Sequence, residues 1–304
     1  MKNKTVLMTG ATGFLGSHLL RSLLDKGYDV IILKRSFSDT WRIDDLLDKA
    51  RCYDLDKLKP DGLPRIYKDN KVDSVVHTAT CYGRNDEQIS EIVKSNLLLP
   101  LRLLELCADL GARTFVNADT FFNTGMELPK NMNYYVLSKK HFLEYAKRIL
   151  EKNKLRFANM ILGHMYGPKD NPSKFIPSVI KSMLYEKEVK LTKGEQKRDF
   201  VYVEDVASAF ALVLEKADEI KDRYADIEVG SGKGIMLKEL LLQIKEECRT
   251  ECRLNFGALP YRKNEADEAG ADTALLRKLG WKPEYSMEEG IAKTVAYCRD
   301  AFKP

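Results

Sequence analysis

The chain has 304 residues, 44% of them hydrophobic, and 50 basic against 45 acidic side chains leave a formal net charge of +5. That is enough apolar material for one large or two smaller α/β domains, and it excludes a disordered chain or a small disulfide scaffold. No apolar run approaches the roughly 18 residues of a membrane span, and the mild basic excess is not gathered into a block, so neither a bilayer nor nucleic acid is an expected partner. Met1 to Gly10 runs from two lysines into a short apolar segment with no secretory h-region, the expected start of a cytoplasmic protein. The six cysteines form no C-x-x-C pair, and Cys248 and Cys252, one helical turn apart among charges, have no nearby histidine, which points to reduced structural thiols and no metal site.

In chain order, Thr5 to Thr9 reads as a short apolar strand, and a glycine turn leads to a helix over Phe14 to Lys26 with Leu15, Leu19, Leu20, Leu23 and Leu24 on one face. Gly27 ends that helix and Asp29 to Leu33 is a second strand, which completes a βαβ unit. The alternation continues with strands at Ser74 to Thr78, Thr114 to Asn117 and Arg156 to Leu162, and helices at Ser90 to Leu110 and Tyr135 to Leu150. It predicts a Rossmann-type, doubly wound parallel sheet with ligands at the carboxyl ends of its strands. Beyond Gly167-Pro168 the alternation loosens, with a helix at Pro177 to Glu186 and strands at Val201 to Val203 and Asp226 to Val229. The expected division is a dinucleotide-binding domain over 1–166 that regains the chain around 200–228, and a smaller substrate-binding lobe made mainly of 167–304.

Gly10, Gly13 and Gly16 stand three apart in TGATGFLG, after a strand and at the opening of a helix. In that context glycines serve a tight turn, close approach of backbone N–H groups to a pyrophosphate, and close helix-on-strand packing, so a bound dinucleotide is expected. An acidic residue about 20 positions on, at the end of the second strand, normally accepts from the adenosine ribose in NAD-binding folds. Here Lys34 and Arg35 stand there, followed by Ser36. Two readings fit: a site for the 2′-phosphate of NADP(H), which is preferred, or a solvated basic pair. Asp54 after the third strand is either an acceptor for the adenine amino group or a turn cap.

Tyr135-Val-Leu-Ser-Lys139 sets a phenol and an ammonium four residues apart on one helix face, within reach of one ligand. With TGATGFLG upstream, and with VVHTAT (75–80), SNLLLPLRLLE (95–105), HMYGP (164–168), RDFVYVEDVA (198–207) and LGWKP (279–283), the chain resembles the extended short-chain dehydrogenase/reductases, the epimerase/dehydratases that act on nucleotide sugars. The segments NADTFF, YVLSKKHF, HMYGPKD, KFIP and GEQKRDF are most similar to the CDP-abequose and CDP-paratose synthase type of 4-ketoreductase, which uses NADPH in O-antigen sugar synthesis.

The resemblance implies that Gly10, Thr12, Gly13, Phe14, Leu15, Gly16, Thr78, Ala79 and Asn96 join Lys34, Arg35, Asp54, Tyr135 and Lys139 around the cofactor. Tyr135 would be the general acid, with Lys139 holding the nicotinamide ribose and drawing the phenol's pKa down. Arg198 and Arg262 would clamp the nucleotide sugar, guanidinium geometry being suited to a diphosphate, with Lys174 a weaker candidate. His164 stands where the family customarily has asparagine, and is either a substrate contact or a buried core histidine. The register puts Ala118 where the family has a Ser or Thr that hydrogen-bonds the reacting oxygen; Thr120, two residues on and so on the same strand face, is the nearest replacement.

Ala118-Asp119-Thr120 lacks the glutamate of the 4,6-dehydratases, and the ribose-binding aspartate customary in epimerases is replaced by Lys34. NADPH-dependent reduction of a nucleotide-linked 4-keto sugar therefore leads, with a 4- or 2-epimerase or a catalytically silent NADP-sensing protein as alternatives. The resemblance also implies a homodimer, built on the helices at 90–110 and 135–150.

Overall fold

A computed structural model describes residues 4–84, 86–124, 133–260 and 270–303. It begins with β1 (Thr5–Thr9), α1 (Phe14–Asp25), β2 (Asp29–Lys34), β3 (Arg51–Asp54), α2 (Gly62–Asn70) and β4 (Ser74–His77). There follow α3 (Ile89–Val93), α4 (Leu99–Leu110), β5 (Thr114–Thr120), α5 (Asn133–Leu150) and β6 (Arg156–Leu162). The later elements are β7 (His164–Tyr166), α6 (Phe175–Tyr185), β8 (Glu188–Leu191), β9 (Lys197–Arg198), β10 (Phe200–Tyr202), α7 (Val203–Glu215), β11 (Tyr224–Val229), β12 (Ile235–Met236), α8 (Leu237–Cys248), β13 (Arg253–Phe256), α9 (Ala274–Lys278) and α10 (Met287–Ala301).

Seven strands form one sheet in the order β11-β6-β5-β4-β1-β2-β3. The pairings from β3 through to β6 are parallel. The strand order reverses at β1, between β2 and β4, and such a reversal opens the crevice in which doubly wound sheets bind ligands. Strand β1 is buried along its whole length, and its middle residues Val6, Leu7 and Met8 are apolar on both faces, as a central parallel strand requires. One face of the sheet packs Val75, Phe115 and Phe157 against Leu103, Leu104 and Cys107 of α4 and Phe142 and Ala146 of α5.

The helix predicted over Ser90 to Leu110 is divided. Lys94–Leu98 forms a π turn between α3 and α4, just before Pro100, whose ring leaves no N–H for a regular helical bond. Strand β5 runs three residues beyond the predicted Asn117 end, to Thr120, so Ala118 and Thr120 are strand residues paired in register with Met160 and Leu162.

The chain forms two compact units: Met1–Leu162 with Ala207–Ile227, and Gly163–Val206 with Glu228–Pro304. The second unit has its own core, in which Ile180 and Met183 of α6, Leu240, Leu241 and Ile244 of α8, and Ile291 and Val295 of α10 are buried together. Three two-stranded pairs, β7 with β10, β9 with β12 and β8 with β13, rim that core. Among the described residues no helix is long and apolar enough to cross a membrane.

Candidate active site

The glycine loop follows β1 and ends in the first turn of α1, where Gly13 N–H donates to the Gly10 carbonyl at 2.9 Å. Gly10 has φ +77°, and a Cβ there would lie 2.4 Å from the Ala79 nitrogen. At Gly16 a Cβ would lie 1.9 Å from the Gly10 carbonyl oxygen. These two glycines let α1 and the segment after β4 close on the end of β1, so the N-terminal N–H groups of α1 head the crevice, an arrangement that fits a dinucleotide pyrophosphate. Thr78 Oγ1 donates to the Thr9 carbonyl at 2.8 Å and Ala79 N–H reaches Thr9 Oγ1 at 3.4 Å, fixing the other wall. Thr9 Oγ1 also meets His77 Nδ1 at 2.8 Å, and burial lowers the pKa of His77 to about 3, which leaves the ring neutral.

At the end of β2 the structure adds partners that single-strand reading missed. Lys34 Nζ is bound to Asp54 at 2.6 Å, and Lys57 lies 3.3 Å from the same carboxylate. Ser36 donates its N–H and its hydroxyl to the two oxygens of Asp56, each at 2.6 Å. Arg35 lies over the exposed Phe37 ring, 4.7 Å from its centre. The lysine bonds hold the Asp54 carboxyl below its usual pKa, so this corner carries two ionised carboxylates among its cations. Arg42, which sequence reading also missed, stacks on Trp41 at 4.4 Å and reaches the Thr12 carbonyl at 3.5 Å.

Tyr135, Lys139, Thr120 and Asn96 come together at the carboxyl end of β5. Buried Asn96, on the π turn, accepts from Cys81 N–H and donates to Cys81 C=O, each at 2.8 Å, and its amide also reaches Ser138 Oγ at 3.1 Å. Ser138 in turn donates to the Tyr135 carbonyl at 2.8 Å, so one side chain ties α5 to the segment after β4. The Thr120 side chain faces the Tyr135 phenol and lowers its pKa, and its Oγ1 accepts from Phe122 N–H at 3.4 Å, while Ala118 offers only a buried methyl.

Burial pushes the Tyr135 phenol well above its ordinary pKa, and the influences that lower it are the Thr120 hydroxyl and Arg84. The Lys139 ammonium is itself buried and donates to the Ala118 carbonyl at 2.7 Å, which directs its charge at the strand. Desolvation lowers the Lys139 pKa and the nearby Asp119 carboxylate opposes that fall. Asp119 is held by Asn123 Nδ2 at 2.8 Å and Asn159 Nδ2 at 3.1 Å.

In the second unit, half-buried His164 lies on β7 with its ring 5.5 Å from Phe200. Lys174, at the start of α6, lies 3.2 Å from the buried carboxylate of Asp170. Arg198 on β9 donates to the Lys197 carbonyl at 2.7 Å, beside Asp199, whose carboxylate accepts from Ser231, Gly232 and Ala271 backbone N–H groups. Arg262 lies outside the described residues. No group of three His, Cys, Asp or Glu among the described residues is arranged to hold a metal ion.

Comparison with known proteins agrees with this geometry. The chain is 39% identical over 295 residues to a CDP-abequose synthase of Salmonella muenchen, across 97% of this chain and 98% of that protein. It is 32% identical to a CDP-abequose synthase of Salmonella typhimurium, across 94% and 95%. Among solved structures, a UDP-glucose 4-epimerase of Thermotoga maritima with UDP-glucose superposes with a TM-score of 0.82 at 25% identity, across 98% of this chain and 100% of that one. A UDP-glucose 4-epimerase of Thermus thermophilus in complex with NAD gives 0.78 at 25% identity, across 98% and 99%. Residues 6–230 match the pattern of one family. With a glycine loop at a sheet reversal and a tyrosine and lysine on the helix after β5, the chain belongs to the NAD dependent epimerase/dehydratase family, whose members here compared act on nucleotide sugars.

Proposed function

We propose that the chain is a cytoplasmic, NADPH-dependent reductase of the C4 ketone of a CDP-linked 4-keto-6-deoxy or 3,6-dideoxy hexose, in surface-polysaccharide sugar synthesis. The observation that carries this reading is the grouping of Tyr135, Lys139 and Thr120 at the end of β5, with Lys139 Nζ 5.7 Å from the Tyr135 ring centre, in a chain so similar to two CDP-abequose synthases. The first unit, with Gly10, Thr12, Gly13, Phe14, Leu15, Gly16, Thr78 and Ala79, holds the dinucleotide. His164, Lys174, Arg198 and Arg262 of the second recognise the sugar nucleotide.

When bound, the reduced nicotinamide supplies a hydride to the carbonyl carbon. Tyr135 delivers the proton to the carbonyl oxygen, so a ketone and a proton become an alcohol as the dinucleotide is oxidised. The Thr120 hydroxyl aligns the phenol and stands in for the hydroxyl absent at Ala118. Lys139 places a buried positive charge next to the anion that Tyr135 becomes.

Exposed Ile89, Leu98, Tyr134, Leu137 and Tyr145 on α3 to α5 support a homodimer through these helices, to be measured as the solution mass by light scattering. The reaction is tested by following NADPH oxidation with CDP-, dTDP-, UDP- and GDP-linked 4-keto-6-deoxy sugars. One observation favours a second reading: the carboxylates of Asp54 and Asp56 at the adenosine corner suit an NAD-dependent 4-epimerase. Interconversion of C4 epimers without net NADPH consumption replaces the first reading by the second. Cofactor binding without turnover on either substrate class points to a sensing protein.

A further inference from the structure

The segment after β4 brings to Tyr135 two side chains that no sequence pattern marks, Tyr82 on its ring and Arg84 on the ring of Tyr82. The Tyr82 ring lies 4.9 Å from that of Tyr135, centre to centre and tilted by 36°. On the next layer the Arg84 guanidinium carbon lies 4.9 Å from the centre of the Tyr82 ring. Lys139 Nζ lies 5.7 Å from the centre of the Tyr135 ring. Two neighbouring, mutually tilted phenol rings are thus each met by a cation, at separations suited to aromatic and cation–π attraction.

The backbone is built to make this column. Asn96 grips both main-chain groups of Cys81, which fixes the root of the segment to the same side chain that steadies α5. Gly83 has φ +68°, a conformation that L side chains rarely adopt, and a Cβ on it would come within 2.7 Å of Ile92 Cδ1. The turn at Gly83 brings Arg84 back over Tyr82. The division of exposure fits a cover: Tyr135 is 5% exposed and Tyr82 is 37% exposed.

We propose that Tyr82 and Arg84 are positioning residues for the proton donor: Tyr82 closes the face of the Tyr135 ring to water, and Arg84 seats Tyr82 while bringing a positive charge to the same stack. This rests on the reading of Tyr135 as the acid. The two act on it in opposite senses. Burial and the neighbouring Tyr82 phenol favour the neutral form of Tyr135, and Arg84 favours the anion. The other groups facing the phenol are Thr120 and Asp119 on β5 and Lys139 on its own helix. Tyr82 keeps the proton on the donor until it is needed, and Arg84 limits how tightly it is kept.

The test is the ionisation of Tyr135, followed as tyrosinate absorbance in the protein loaded with whichever oxidised dinucleotide binds it more tightly. Each variant is measured against its Tyr135→Phe counterpart, with no sugar present. Tyr82→Ala is expected to lower the midpoint by about one pH unit, and Tyr82→Phe, which keeps the cover, by much less. Arg84→Gln is expected to raise it by a few tenths of a unit, because an exposed guanidinium is screened. The alkaline limb of kcat follows the same order. An unchanged midpoint in Tyr82→Ala overturns the proposal, as does a shift of Arg84→Gln in the same direction as Tyr82→Ala, the mark of simple loosening. Arg84→Lys restores the wild-type midpoint if the charge matters. Opposite shifts in a protein that reduces no keto-sugar leave this proposal standing and remove the reductase reading.

Discussion

Replacing Thr120 by valine removes one hydroxyl, keeps the branched shape, and tests how the site works without a hydroxyl at Ala118. Thr120 ends β5, is 5% exposed, and lowers the pKa of the Tyr135 phenol it faces, so the variant leaves packing nearly intact while the phenol loses the hydroxyl that favours its anion. A donor removed from a preorganised set at a reacting oxygen costs about 2.7 to 4 kcal/mol of transition-state stabilisation, which at about 1.4 kcal/mol per decade is roughly a 10²- to 10³-fold loss of kcat. Dinucleotide affinity, set at the end of β1 and β2, stays within about twofold. Because the Thr120 hydroxyl lowers the phenol's pKa, the alkaline limb of kcat also moves upward. The assay is steady-state NADPH oxidation with the best keto-sugar across a pH series, together with dinucleotide titration. Ala118→Thr is the companion: it puts two heavy atoms into a buried position beside the carbonyl that Lys139 grips, and is expected to lower stability by about 1 to 3 kcal/mol with little change in kcat. A full-speed Thr120→Val enzyme, or a hundredfold gain in Ala118→Thr, refutes the assignment and points to a site disabled by the loss of a hydroxyl at 118.

Tyr135→Phe is expected to lower kcat about 10²- to 10⁴-fold with cofactor binding nearly intact, whereas Lys139→Met weakens both; wild-type turnover in the phenylalanine variant means that the proton comes from another group. NADPH is expected to bind more tightly than NADH, and Arg35→Ala to remove most of the difference, roughly 1.5 to 3 kcal/mol for a charge-assisted phosphate contact, as read by calorimetry; equal wild-type affinities reject the NADP assignment. The neutral, buried His77, with a folded pKa of about 3 below its unfolded value, makes the folded state bind fewer protons than the unfolded chain, so its contribution is present above about pH 6.5 and lost as pH falls toward 3, by about 1.4 kcal/mol per unit. His77→Gln is therefore expected to flatten the fall of urea-unfolding free energy between these pH values; an unchanged slope shows that another group carries the acid sensitivity.

The sequence by itself determined the doubly wound parallel sheet and the glycine loop after its first strand. Each of those is written in local terms: apolar periodicity, and glycines where a backbone must turn or be approached. The four-residue spacing of Tyr135 and Lys139 placed them on one helix for the same reason, and the alternation of a strand put Ala118 and Thr120 on one face. Tertiary structure decided how these groups are charged and covered. Lys34 meets Asp54 only because β2 and β3 lie side by side, and Ser36 meets Asp56 across the same 20-residue gap. Tyr82 and Arg84 reach Tyr135 from a segment some 50 residues away in the chain, and Asn96 joins the two through a π turn that no periodicity announces. Burial, a property of the whole fold, raises the phenol's pKa, and the cation that lowers it, Arg84, comes from the segment after β4. Spacing along a chain determines which side chains share an element. Desolvation and pairing depend on which elements pack together, and these set the chemistry of the site.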